Sequence, residues 1–103
     1  MKKNQYLLLK LMEECAEISH IASKQIQFGK DSDNNGKYEK TNTTRLREEL
    51  LDLLVVVREL QLDDQIPVWS RKDFTAAKKA KLEKMQKYLN ASSRLGELPE
   101  ILL

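Results

Sequence analysis

The chain reads as an all-α protein, and three observations carry that prediction. Apolar residues recur at helical spacing in two long stretches: Leu7, Leu8, Leu11, Cys15, Ile18 and Ala22, then Leu46, Leu50, Leu53, Leu54, Val57 and Leu60. Strand-like alternation is absent. Only three Gly and two Pro interrupt 103 residues, of which 33% are charged and 6% aromatic, a helix-rich composition. The length allows one domain, residues 1–103, with a modest core.

The first helix is expected from about Asn4 to Phe28, with Gly29 as its stop. Residues 30–44 are polar and rich in turn formers, hence a loop or a mobile lid. Thr43 or Thr44 can cap a second helix that reads to about Leu62, where Asp63, Asp64 and the Ile66-Pro67 step break it. Ser70 or Asp73 caps a third helix to about Asn90, and residues 91–103 form a short tail helix or extended arm.

Two acidic pairs stand out on the first two helices. Glu14 and Glu17, preceded by Glu13, have i, i+3 spacing; so do Glu49 and Asp52, preceded by Glu48. At 3.6 residues per turn, each pair places its carboxylates about 60° apart on one surface. On a helical wheel Glu14 falls beside Leu7 and Ile18 at the edge of the apolar stripe, and Glu49 falls between Val56 and Leu60, inside it. A carboxylate facing a core costs several kcal/mol unless a positive charge compensates it. Either pair alone is ordinary composition for a helix flank, and Glu48 and Glu49 also suit a helix's first turn. Two pairs on successive amphipathic helices are more telling. If the stripes pack together, four carboxylates converge with no His or Cys among them, a donor set for Mg²⁺ first and Mn²⁺ second.

The segments Leu11-Met12-Glu13-Glu14-Cys15-Ala16-Glu17 and Leu46-Arg47-Glu48-Glu49-Leu50-Leu51-Asp52-Leu53-Leu54 resemble the EExxE…ExxD signature of MazG-like all-α nucleoside triphosphate pyrophosphohydrolases. That superfamily includes all-α dUTPases and dCTPases and phosphoribosyl-ATP pyrophosphohydrolases. The resemblance covers residues 7–60 and is looser beyond. The spacer from Glu17 to Glu49 is long, with a polar loop inserted, and Leu51 stands where many relatives carry Gly. The resemblance implies Mg²⁺ held by Glu14, Glu17, Glu49 and Asp52, with Glu13 and Glu48 as catalytic helpers. It also implies hydrolysis of a nucleoside triphosphate to the monophosphate and pyrophosphate, and protomers pairing as a homodimer or homotetramer to complete a four-helix bundle.

Charge is uneven along the chain. Residues 1–69 carry a net −2 and residues 70–103 a net +4, an acidic half that could hold metal and a basic segment that could meet phosphate. In the third helix Lys78, Lys81 and Lys84 are the candidate phosphate contacts, and Trp69 a candidate for stacking on a base. The near-neutral total of +2 and the scatter of lysines around that helix speak against a nucleic-acid surface.

Two rival motifs concern cations. Asp31-x-Asp33-x-Asn35-Gly36 matches the first half of an EF-hand loop, but position eight is Tyr38 and position twelve, which needs a bidentate Glu, is Asn42. This sets the alternative function, a non-enzymatic helical binding module holding calcium weakly through residues 31–42. Glu17-x-x-His20 is one ExxH, whereas a di-iron bundle needs two, and His20 falls on the polar side of its helix. Cys15, the sole cysteine, is expected as a buried structural thiol; with no disulfide pairing available, the cytoplasm is the default location. Lys10, Glu13 and Glu14 end the N-terminal apolar run too early for a signal peptide or membrane span.

Overall fold

The computed structural model describes residues 1–94, 96 and 101–103, and it contains three helices: α1 (Lys3–Phe28), α2 (Asn42–Leu62) and α3 (Arg71–Arg94). Among the described residues there is no strand, as the apolar periodicity predicts. Among the described residues no helix is long and apolar enough to cross a membrane. The chain divides into two compact units, Met1–Pro67 and Val68–Leu103.

In the first unit α1 and α2 pack as an antiparallel pair. The C-terminal end of α1 meets the start of α2 through Asn42, whose side chain is fully buried. Its Nδ2 donates to the carbonyls of Gly29 at 3.0 Å and Lys24 at 3.4 Å, while its Oδ1 accepts from Asn34 at 3.3 Å. The opposite ends are joined by the Lys3–Asp63 ion pair at 3.8 Å. Leu7, Ile21 and Leu60 form the buried core.

Helix ends follow local chemistry. Gly29, at φ 92°, lets the chain leave α1 in a conformation that side-chain-bearing residues disfavour. The cap of α2 is Thr41, not Thr43 or Thr44; its Oγ1 accepts from the Thr44 amide. Loop carbonyls fold back to take the next donors, Ser32 accepting from Asn42 and Lys30 from Thr43, each at 2.9 Å. The helix therefore starts as soon as these partners are in place. Asp63 closes α2, and Asp64 turns the chain at φ 60°.

In the second unit Ser70 and Asp73 both act at the start of α3. Asp73 accepts from the Ser70 amide at 2.8 Å and Ser70 Oγ from the Asp73 amide at 3.1 Å, a reciprocal capping box. The helix runs to Arg94, four residues past the expected Asn90, so the tail begins as helix. The rest of that tail falls partly on residues 95 and 97–100, outside the described residues.

Cys15 corrects the sequence reading: it is exposed. On the α1 wheel the buried and half-buried apolar residues span an arc from Ile21 through Leu7, Ile18 and Leu11 to Ala22, about 100° wide, and Cys15 lies about 20° beyond it. One neighbouring helix covers only part of a broad apolar stripe. The same arithmetic moves Glu14 inward, between Ile21 and Leu7 and within the covered arc.

Candidate metal centre

Because α1 and α2 are antiparallel and of similar length, their midpoints face each other. That places Glu14, near the middle of one helix, opposite Glu49 and Asp52 near the middle of the other. Glu14, Glu49 and Asp52 each offer a carboxylate oxygen, and these three atoms lie within 4.8 Å of one another. Glu14 and Glu49 are half-buried and Asp52 is exposed, so the group opens from the helix interface toward solvent.

The electrostatics of the group are uncompensated. Among the described residues no ion pair involves any of the three. Glu14 Oε2 is buried with no hydrogen-bond partner, an acceptor withdrawn from water without replacement. Burial pushes the Glu49 carboxyl up to about 7, assisted by the adjacent Glu14 carboxyl and by the charges of Asp52 and Glu17. A hard divalent cation fits these residues on each count. It would satisfy the orphaned oxygen, relieve the repulsion and find an oxygen-only donor set.

The other predicted residues take different places. Glu17 is exposed and outside the group of three, although its charge reaches Glu49. Glu13 is exposed and bound by Lys10 at 2.9 Å. Glu48 accepts from Lys40 of the loop at 2.7 Å, an exposed contact that raises the pKa of Lys40. Lys78, Lys81, Lys84 and Trp69 are exposed on the second unit.

One loop acid helps to shape its own turn. Asp33 Oδ1 accepts from the Gly36 amide at 2.9 Å, and Asn34, Asn35 and Gly36 all take positive φ, a tight left-handed turn. Asp31 and Asp33 belong to no convergent acidic group among the described residues. His20 is exposed and lines a recess with Lys24, Phe28 and Tyr38.

Sequence reading passed over Arg45, Lys40 and Tyr38. The Arg45 guanidinium lies 3.8 Å from the centre of the Tyr38 ring, and both residues line the cleft that contains Glu48 and Glu49. Arg45 stands one helical turn before Glu49, a spacing that could have drawn it into the site.

No protein-family model, curated protein or solved structure matches this chain.

Proposed function

We propose that the chain is a Mg²⁺-dependent nucleoside triphosphate pyrophosphohydrolase, with Glu14, Glu49 and Asp52 holding the cation and Glu17 assisting from the next turn. The observation that carries this reading is the convergence of three carboxylates from two helices around a buried, unpartnered Glu14 oxygen. The resemblance of the two acidic segments to MazG-like enzymes supplies the reaction class. Mg²⁺, when bound, neutralises phosphate charge and aligns the polyphosphate.

The protein's own contribution is positioning and proton handling. Glu48 neighbours Glu49 in the cleft and is the nearer candidate to take a proton from the attacking water, with Glu13 the second. Water adds its oxygen to phosphorus, the bridging bond between the α and β phosphates breaks, and the proton passes to the departing pyrophosphate. Two products result: a nucleoside monophosphate and pyrophosphate.

A second copy of the chain belongs to this reading. Leu8 and Met12 on α1, and Leu50, Leu51, Leu54 and Val55 on α2, are exposed in rows at helical spacing. Covering them with a second antiparallel pair would make a four-helix bundle, as a homodimer or within a homotetramer.

Phosphorus NMR on a panel of nucleoside triphosphates, with Mg²⁺ or with chelator, tests the reaction. Equal amounts of monophosphate and pyrophosphate, formed only with Mg²⁺, are expected. Orthophosphate as first product, or no Mg²⁺-dependent turnover of any nucleotide, contradicts the proposal.

A further inference from the structure

Beside the three carboxylates lies a cleft of about 410 Å³, lined by Lys37, Tyr38, Glu39 and Lys40 of the loop and by Arg45, Glu48 and Glu49 of α2. Its walls carry both signs of charge. Cations come from the loop and the first turn of α2, and carboxylates from Glu39 of the loop and from the next turn of α2.

Arg45 is the most demanding of these groups. It is half-buried, its guanidinium is stacked on Tyr38 at 3.8 Å, and its Nη1 is buried with no hydrogen-bond partner. A guanidinium offers five N–H donors in a rigid fork suited to phosphate oxygens, and a buried donor without a partner is costly. The stacking fixes the plane of the fork before any ligand arrives.

Lys40 is held differently. Its ammonium lies 2.7 Å from Glu48, with both side chains about half exposed to solvent (53% and 44%). Pairs at such exposure are worth little and exchange readily. The ammonium can therefore leave Glu48 for a better anion at small cost.

A bare anion entering this cleft meets Glu39, Glu48 and Glu49, and a bare cation meets Lys37, Lys40 and Arg45. A divalent cation complexed with polyphosphate satisfies both walls at once. We infer that this cleft grips the polyphosphate: Arg45 on its Tyr38 platform holds the chain, and Lys40 moves from Glu48 to the phosphate. The inference rests on the reading of the carboxylate group as a metal centre for a phosphorylated substrate. Phosphate contacts are thereby assigned to the loop side of the metal centre, in residues that carry no acidic signature.

The test is calorimetric binding of inorganic triphosphate with Mg²⁺ to the full chain, to Lys40→Gln and Arg45→Gln, and to Lys72→Gln as a charge-matched control on α3. Losing one charge-assisted contact should raise Kd by about tenfold in each of the first two and leave Lys72→Gln unchanged. Lys40 is exposed, so its variant should fold even if Arg45→Gln does not, and circular dichroism checks both. The inference is overturned if wild type binds no triphosphate, if Lys40→Gln binds as tightly as wild type, or if all three variants weaken alike. Nucleoside triphosphates binding more tightly than inorganic triphosphate would identify a nucleotide as occupant; the reverse order would identify inorganic polyphosphate. Either order supports the cleft when the two variants lose affinity. Triphosphate binding through these residues without nucleotide hydrolysis would sink the hydrolase reading and keep the cleft. Hydrolysis with KM unchanged in Lys40→Gln and Arg45→Gln would do the opposite.

Discussion

Glu49 of α2 and Glu14 of α1 bring carboxylate oxygens within 4.8 Å of each other across the helix pair, and Glu14 Oε2 is buried there without a hydrogen-bond partner. Burial is the larger reason that Glu49 keeps its proton up to about pH 7; the nearby Glu14 carboxyl and the charges of Asp52 and Glu17 add to it. In the unfolded chain the same group titrates near 4.5.

Between these two values the folded state holds a proton that the unfolded state has released. The stability of the metal-free protein should therefore fall as pH rises from about 4.5 to about 7, by at most about 3 kcal/mol. Denaturant titrations in chelator at pH 5 and pH 8 measure this. The loss should shrink in Glu49→Gln, which keeps a neutral hydrogen-bonding side chain at all pH values. An unchanged pH dependence in that variant would count against the buried-acid account.

Asn42 ties the loop to both helices. Asn42→Ala removes two donations to carbonyls and one acceptance from Asn34, all in a fully buried position. Stripping these partners should cost about 2–4 kcal/mol of unfolding free energy. A denaturant midpoint equal to wild type would show that the helix pair does not depend on this junction.

The uncovered apolar rows bear on assembly. Light scattering at working concentration should report a dimer or tetramer, and Leu54→Glu, at a position 58% exposed in the single chain, should shift it toward monomer. A wild-type monomer with activity intact would refute the bundle completed by a second copy.

Much of this fold is legible in the residues. Gly29 ends α1 and Asp63 ends α2 as local chemistry predicts, because both are decided within a few residues. The start of α2 is not legible in the same way: Thr41 wins over Thr43 and Thr44 because carbonyls of Ser32 and Lys30, distant in the loop, reach the first amides. Cys15 misleads for a related reason, since periodicity marks an apolar stripe but not how much of it one neighbour covers. At the site, the i, i+3 pairs point to Glu14, Glu17, Glu49 and Asp52; the structure gathers three of them and leaves Glu17 exposed outside the group. The loop–helix partnerships of Lys40 with Glu48 and Tyr38 with Arg45 leave no periodic trace; they arise from how the loop folds back over α2.

The central claim is that Glu14, Glu49 and Asp52 form a divalent-cation centre. Titration with Mn²⁺, followed by electron paramagnetic resonance of the free ion, tests it most directly on wild type, Glu49→Ala, Asp52→Ala and the loop variant Asp31→Ala. Both helix variants should bind at least about tenfold more weakly, through loss of one charged ligand. Their metal-free stability should hold or rise as repulsion is relieved, and Asp31→Ala should match wild type. Binding lost in Asp31→Ala but kept in Glu49→Ala and Asp52→Ala would place the cation in the loop and contradict the account.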